Sequence, residues 1–142
     1  MLTTSGIDPQ TVQAYQETHY CVDGPNPFVM HIGVPCEPLQ KLFRKMQADC
    51  ASFITACNPY SEDVGESVNA QRQTLLANEL KRRSLVYMEG IGKHPSGDWP
   101  PEHSFFVVGL SLEAAKALAR EHQQNAMVWV GLDCVPQLIL LR

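Results

Sequence analysis

From residue 51 onward, short apolar runs and helical patterns follow one another as strand, helix, strand, strand, helix, strand, with one strand more at the end. This succession limits the architecture more than any other feature, because strands interleaved with helices in a short chain must lay helices on a sheet. Ala51–Cys57 is a short apolar strand stopped by Asn58-Pro59. The next segment, from Ser67 to Arg83, has acid before its start (Glu62, Asp63, Glu66) and base at its end (Lys81, Arg82, Arg83), as the helix dipole favours. Leu85–Met88 reads as a strand, and residues 90–101, GIGKHPSGDWPP, read as a loop. Ser104–Val108 is a strand of buried character, and Ser111 caps a helix that runs to Gln123. Ala126–Val130 and Gln137–Leu141 are strands on either side of a turn.

Upstream, Thr18, Tyr20 and Val22 alternate with polar residues, as in a half-buried strand. The turn cluster Asp23–Pro27 leads into a second strand, Phe28–Gly33, and so forms a hairpin. Pro38 opens a helix whose Leu39, Leu42, Phe43 and Met46 share one face. The fold expected is α+β: a ferredoxin-like split β-α-β core (β-α-β-β-α-β) with an N-terminal β-hairpin and helix and an added C-terminal strand. Residues 1–142 are expected to form a single domain, with the polar residues 1–14 frayed.

Composition removes several function classes. With 44% hydrophobic and 18% charged residues the chain is too apolar for disorder. Its 11 basic against 15 acidic residues give a net charge of −4, so no nucleic-acid partner is expected. The apolar run Phe105–Leu110 falls far short of the roughly 20 residues of a membrane span, so no membrane partner is expected either. The opening MLTTSGIDPQ lacks the pattern of a secretory signal, which points to the cytoplasm. Five cysteines without a C-x-x-C predict neither a disulfide framework nor a metal site, and no cofactor is expected.

The strand order carries a geometric consequence. If strand 104–108 runs antiparallel between strands 51–57 and 85–88, then Asn58–Ser61, the start of helix 67–83, the loop 90–101, Glu102–Ser104 and Gln123–Asn125 meet at one end of the sheet. Thr55-Ala-Cys-Asn-Pro59, Asn69-x-x-Arg72, Trp99-x-x-Glu-x-Ser104 and Gln124-Asn-Ala126 all fall there. In order and spacing these four motifs resemble bacterial proteins grouped as domain-of-unknown-function family 3293, over about residues 15–130. The resemblance implies that the motifs belong together and brings no mechanism. An aromatic or other bulky residue usually fills the family's place for Cys57, and proline that for His103, which argues against a catalytic Cys57–His103 pair.

Arg72 lies on the apolar face of its helix and needs an acceptor, for which Glu102 is the natural candidate. The same guanidinium would grip a phosphate or carboxylate in bidentate fashion. The site expected is a polar pocket for a small anionic or nucleotide-like molecule. Arg72 would hold the anion, Asn58, Ser61, Asn69 and Gln124 would supply neutral hydrogen bonds, and Ser104 shares the strand face of Glu102. Trp99 would point inward and cover the pocket, with Lys93 and His94 near solvent. If there is chemistry, Glu102 is its acid/base, in a hydrolase or group transferase. A second reading stays open: a protein-interaction or regulatory module whose polar motifs are a structural network.

Overall fold

Phe105 to Val108 form an unbroken apolar run because both faces of their strand are covered. Phe106 and Val108 pack with Ala51, Phe53, Leu39 and Phe43 on one face, while Phe105 and Val107 pack with Ile54, Leu76, Leu80 and Leu118 on the other. Alternating residues of one strand thus serve two cores. The computed structural model describes residues 5–142. In chain order the elements are α1 (Pro9–Glu17), β1 (His19–Val22), β2 (Phe28–Met30), α2 (Pro38–Met46), β3 (Ala51–Ile54), a 3-10 turn (Pro59–Ser61), α3 (Glu66–Arg82), β4 (Val86–Lys93), β5 (Glu102–Val108), α4 (Leu112–Glu121), β6 (Ala126–Val130) and β7 (Gln137–Leu140). The fold is α+β. The strands form one sheet in the order β2-β1-β4-β5-β3-β6-β7, with every neighbouring pair antiparallel.

β5 lies between β3 and β4, with Phe53 opposite Phe106 and Met88 opposite Phe106 on its other side. Helices α3 and α4 supply Leu76, Leu80, Ala115 and Leu118 to one core; α2 supplies Leu39 and Phe43 to the other. The sheet curls so that its margins approach. Gly33 N, past edge strand β2, donates to Pro136 O at 2.9 Å, and Cys36 N donates to Cys134 O at 2.8 Å, just before edge strand β7. Among the described residues no helix is long and apolar enough to cross a membrane.

Three expectations are corrected. The fray expected up to residue 14 falls partly on residues 1–4, which lie outside the described residues, and residues 9–14 are helical. Asp8 accepts from Gln10 N at 2.8 Å as N-cap, and Pro9 sits in the first turn, where its missing N–H costs nothing. The strand expected over 51–57 ends at Ile54, because Ala56 N turns away to Gln73 Oε1 at 2.8 Å. The loop expected over 90–101 begins only after Lys93, since β4 pairs with β1 and β5 through Gly90–Gly92. Gly90 has a steric role there: a Cβ would stand 2.7 Å from Cys21 O and 2.7 Å from the Phe53 ring. Gly90→Ala is therefore expected to lower stability by about 1–3 kcal/mol by overpacking, read from the urea midpoint. An unchanged midpoint would mean that the β1–β4 pair is not this close.

Candidate functional site

The end of the sheet that gathers the polar motifs also holds a cavity of about 220 Å³. Its walls come from the end of β3 and the segment after it (Phe53, Thr55, Asn58), the start of β5 (Glu102, Ser104), the start of β6 (Ala126, Val128), Tyr20 of β1, and α1, which lays Thr11, Ala14 and Tyr15 across it. Burial of Tyr20 and Phe53 follows from the pleat, and their rings meet edge to face at 5.2 Å.

Glu102 is the ionisable group of greatest interest in this wall. Burial pushes its carboxyl up to about 7, against which the hydrogen bond from Asn58 works to lower it. Asn58 Nδ2 donates to Glu102 Oε2 at 3.1 Å, and no second side chain engages this carboxyl among the described residues. The amide is aimed by Asn69: Asn58 N donates to Asn69 Oδ1, and Asn69 Nδ2 donates to Asn58 Oδ1, both at 2.8 Å. With its oxygen held by Asn69, Asn58 can present only its NH2 to Glu102. Asn58 adopts φ 46° and ψ 70°, a left-handed conformation that asparagine tolerates, and Tyr60 and Ser61 follow with φ 53° and 63°. Backbone of this kind persists where its surroundings fix it. Here Tyr60 N donates to Gln123 O at 2.8 Å, and Ser61 Oγ accepts from Asn125 Nδ2 at 2.9 Å and is hydrogen-bonded to the Tyr15 hydroxyl.

Arg72 does not pair with Glu102. Its Nε donates to Ala56 O at 2.6 Å, Nη2 to His122 O at 2.7 Å and Nη1 to Gln123 Oε1 at 3.3 Å. The guanidinium joins the end of β3 to the end of α4, using its forked donors on protein acceptors. It is not part of the cavity lining, nor is Asn69, which acts through Asn58. Asn58, Ser61, Trp99, Glu102, Ser104 and Gln124 are part of it. Gln124 is buried, and its Nε2 donates to Cys57 O and His122 O, each at 3.1 Å.

Trp99 borders the cavity but stays half exposed at 50%, so it forms a rim and not the inward cover expected. Lys93 is exposed, whereas the His94 side chain is only 9% exposed. The ring of His94 accepts at Nδ1 from Ser96 N at 3.2 Å, faces Glu17 Oε1 through Nε2 at 2.9 Å, and meets Trp99 edge-on at 4.5 Å. Thiolate chemistry has no support here. Burial pushes the Cys57 thiol up, and its Sγ contacts the backbone carbonyl of His103, not the imidazole. Outside the cavity, donor atoms of Glu79, Glu121 and His122 lie within 4.8 Å of one another. Glu79 is already engaged by His122 Nε2 at 3.0 Å and Arg83 at 3.6 Å, the lone pairs a cation would need.

Tyr15, Tyr20, Phe53 and His94 are lining residues that the reading from sequence did not reach. For α1 a signal was present in Asp8-Pro9, an N-cap and first-turn proline pair. For Tyr20 and Phe53 nothing local distinguishes a cavity wall from ordinary core.

No curated protein and no solved structure matches this chain. Residues 54–127 match a family described as protein of unknown function (DUF3293), and that segment runs from the end of β3 into β6, with Arg72, Asn58, Asn69, Glu102 and Gln124 all inside it. The match covers more than half of the chain, which therefore belongs to the DUF3293 family of proteins of unknown function.

Proposed function

We propose that the cavity at the sheet end binds a small molecule and that Glu102 exchanges a proton with it. The observation that carries this reading is the part-buried Glu102 carboxyl in the cavity wall, one oxygen fixed by Asn58 and, among the described residues, no cation paired with it. An acid poised near neutrality in a cleft suits proton transfer to or from a bound group. The 220 Å³ available lies below the about 300–1,000 Å³ of drug-sized pockets, and among the described residues the lining holds no lysine or arginine. Both facts favour a fragment-sized ligand without phosphate over the anionic or nucleotide-like molecule expected from Arg72. The same reading takes β3-α3-β4-β5-α4-β6 as a split β-α-β unit of ferredoxin-like type, supported by the order β4-β5-β3-β6.

The alternative, an interaction or regulatory module without chemistry, draws support from a different place. Arg72, Asn69 and Gln124 all have protein partners, as a purely structural network requires. That network surrounds the cavity without filling it.

A fragment library screened by thermal shift separates the two. A ligand at ~100 times its Kd is expected to add about 2.7 kcal/mol of stability. Ala126→Leu, which extends an apolar side chain from the β6 wall without removing a hydrogen bond, is expected to abolish the shift. Hits that persist undiminished in Ala126→Leu would place binding elsewhere and remove the proposal.

A further inference from the structure

The polar groups around Glu102 share a property that constrains the ligand. Most of their hydrogens are already committed to protein acceptors. Tyr20 Oη donates to Tyr15 O at 2.6 Å, Thr18 Oγ1 to Ala14 O at 2.7 Å, Thr55 Oγ1 to His103 O at 2.6 Å, and Ser104 Oγ to Glu102 O at 3.2 Å. Both amide hydrogens of Gln124 are taken by Cys57 O and His122 O. What these side chains have left is lone pairs. Glu102 adds a further acceptor, Oε1, with no protein partner among the described residues. The donors left without an acceptor among the described residues are the second Nδ2 hydrogen of Asn58, one hydroxyl hydrogen of the Tyr15–Ser61 pair, the Thr11 hydroxyl and the Trp99 indole.

Charge points the same way. Among the described residues, Glu102 is the only Asp, Glu, Lys or Arg of the lining. Arg72, the cation of the neighbouring network, is held on Ala56 O and His122 O. His94, also in the lining, faces Glu17 Oε1 through Nε2 at 2.9 Å. The aromatic groups of the lining, Tyr15, Tyr20, Phe53 and Trp99, offer π faces of the sort that attract cations.

We propose that the cavity takes a small organic cation bearing N–H donors, its ammonium or amidinium group on Glu102 and the surrounding lone pairs, its carbon body against Phe53 and Trp99. This rests on the cavity being a binding site, as argued above. Binding conserves protons simply: a protonated Glu102 loses its proton to solvent, the carboxylate remains paired with the cation, and no covalent bond is made. The titratable groups facing Glu102 are Tyr20 from β1, Cys57 from the segment after β3, and Tyr15 and His94 across the cavity. Burial raises the pKa of both Tyr20 and Cys57, so neither competes for that proton near neutrality.

Isothermal titration of the full chain with three probes of similar size, n-butylammonium, n-pentanol and n-pentanoate, tests this. Measurements at pH 7 in buffers of different ionisation heat count the protons released. Butylammonium is expected to bind at least tenfold tighter than pentanol, with release of a fraction of a proton at pH 7 and none at pH 9. Glu102→Gln is expected to remove both the preference and the release. Pentanol or pentanoate binding as tightly as butylammonium, in a manner blocked by Ala126→Leu, would overturn the cation and leave the cavity as a site. Binding of no probe to either the unaltered protein or Ala126→Leu would overturn both.

Discussion

At pH 8, the Glu102→Gln variant is expected to be more stable than the unaltered protein. Burial holds the Glu102 carboxyl at about 7 in the fold, whereas the free side chain ionises near 4.5. Below pH 4.5 folded and unfolded chains both carry the proton and the residue is neutral in its effect. Between 4.5 and 7 the unfolded chain releases a proton that the folded one keeps, so stability falls as pH rises, and above 7 the folded protein carries a poorly solvated carboxylate. The loss amounts to about 2–3 kcal/mol, from ~1.36 kcal/mol per pH unit with allowance for partial solvation. Glutamine keeps an oxygen for Asn58 Nδ2 and cannot ionise. Urea unfolding of both proteins at pH 4 and pH 8 should give curves that coincide at the lower pH and separate by that amount at the higher. Parallel pH profiles would mean that Glu102 is better solvated than its position indicates.

Arg72→Ala is expected to lower stability by about 2–4 kcal/mol. The substitution strands Ala56 O and leaves His122 O with the Gln124 amide alone, each having lost a short charge-assisted bond at the point where β3 and α4 end. Lysine cannot replace the fork: one ammonium does not reach two carbonyls and Gln123 with the planar geometry of a guanidinium. Arg72→Lys is therefore expected to recover less than half of the loss. A double-mutant cycle with Glu102→Gln should show no coupling beyond about 0.5 kcal/mol, since the two residues have separate partners. Strong coupling would restore the ion pair expected from the sequence.

Most of the architecture was legible because its signals are periodic. Phe105–Val108 reads as a strand on apolar content alone, and Leu39, Leu42, Phe43 and Met46 mark a helical face without ambiguity. The misreadings come from residues whose structural reason lies elsewhere in the chain. Gly90 and Gly92 look like loop residues until Phe53 and Cys21 are seen packed over Gly90. The convergence of Asn58, Glu102 and Gln124 at one end followed from strand direction, which crossover connections fix. The partner of Arg72 did not, because backbone carbonyls are available everywhere and leave no mark in a sequence. The roles of Tyr20 and Phe53 as cavity wall depend on the curl of the sheet, a property of all seven strands together.

Strand order also dictates when the pieces can assemble. The hairpin of β1 and β2 has its other partner in β4, whose first residue comes 64 positions after the end of β1. β3 waits for β5 and then for β6 before both its edges are paired. Pairings of such long sequence separation carry a loop-closure cost that slows folding. Helix α1 and the hairpin therefore leave the ribosome long before any sheet exists to receive them, and their exposed Tyr20, Val22 and Met30 are aggregation hazards for that interval. The cavity, lined from Thr11 to Leu138, takes its final shape only when the last strand has docked.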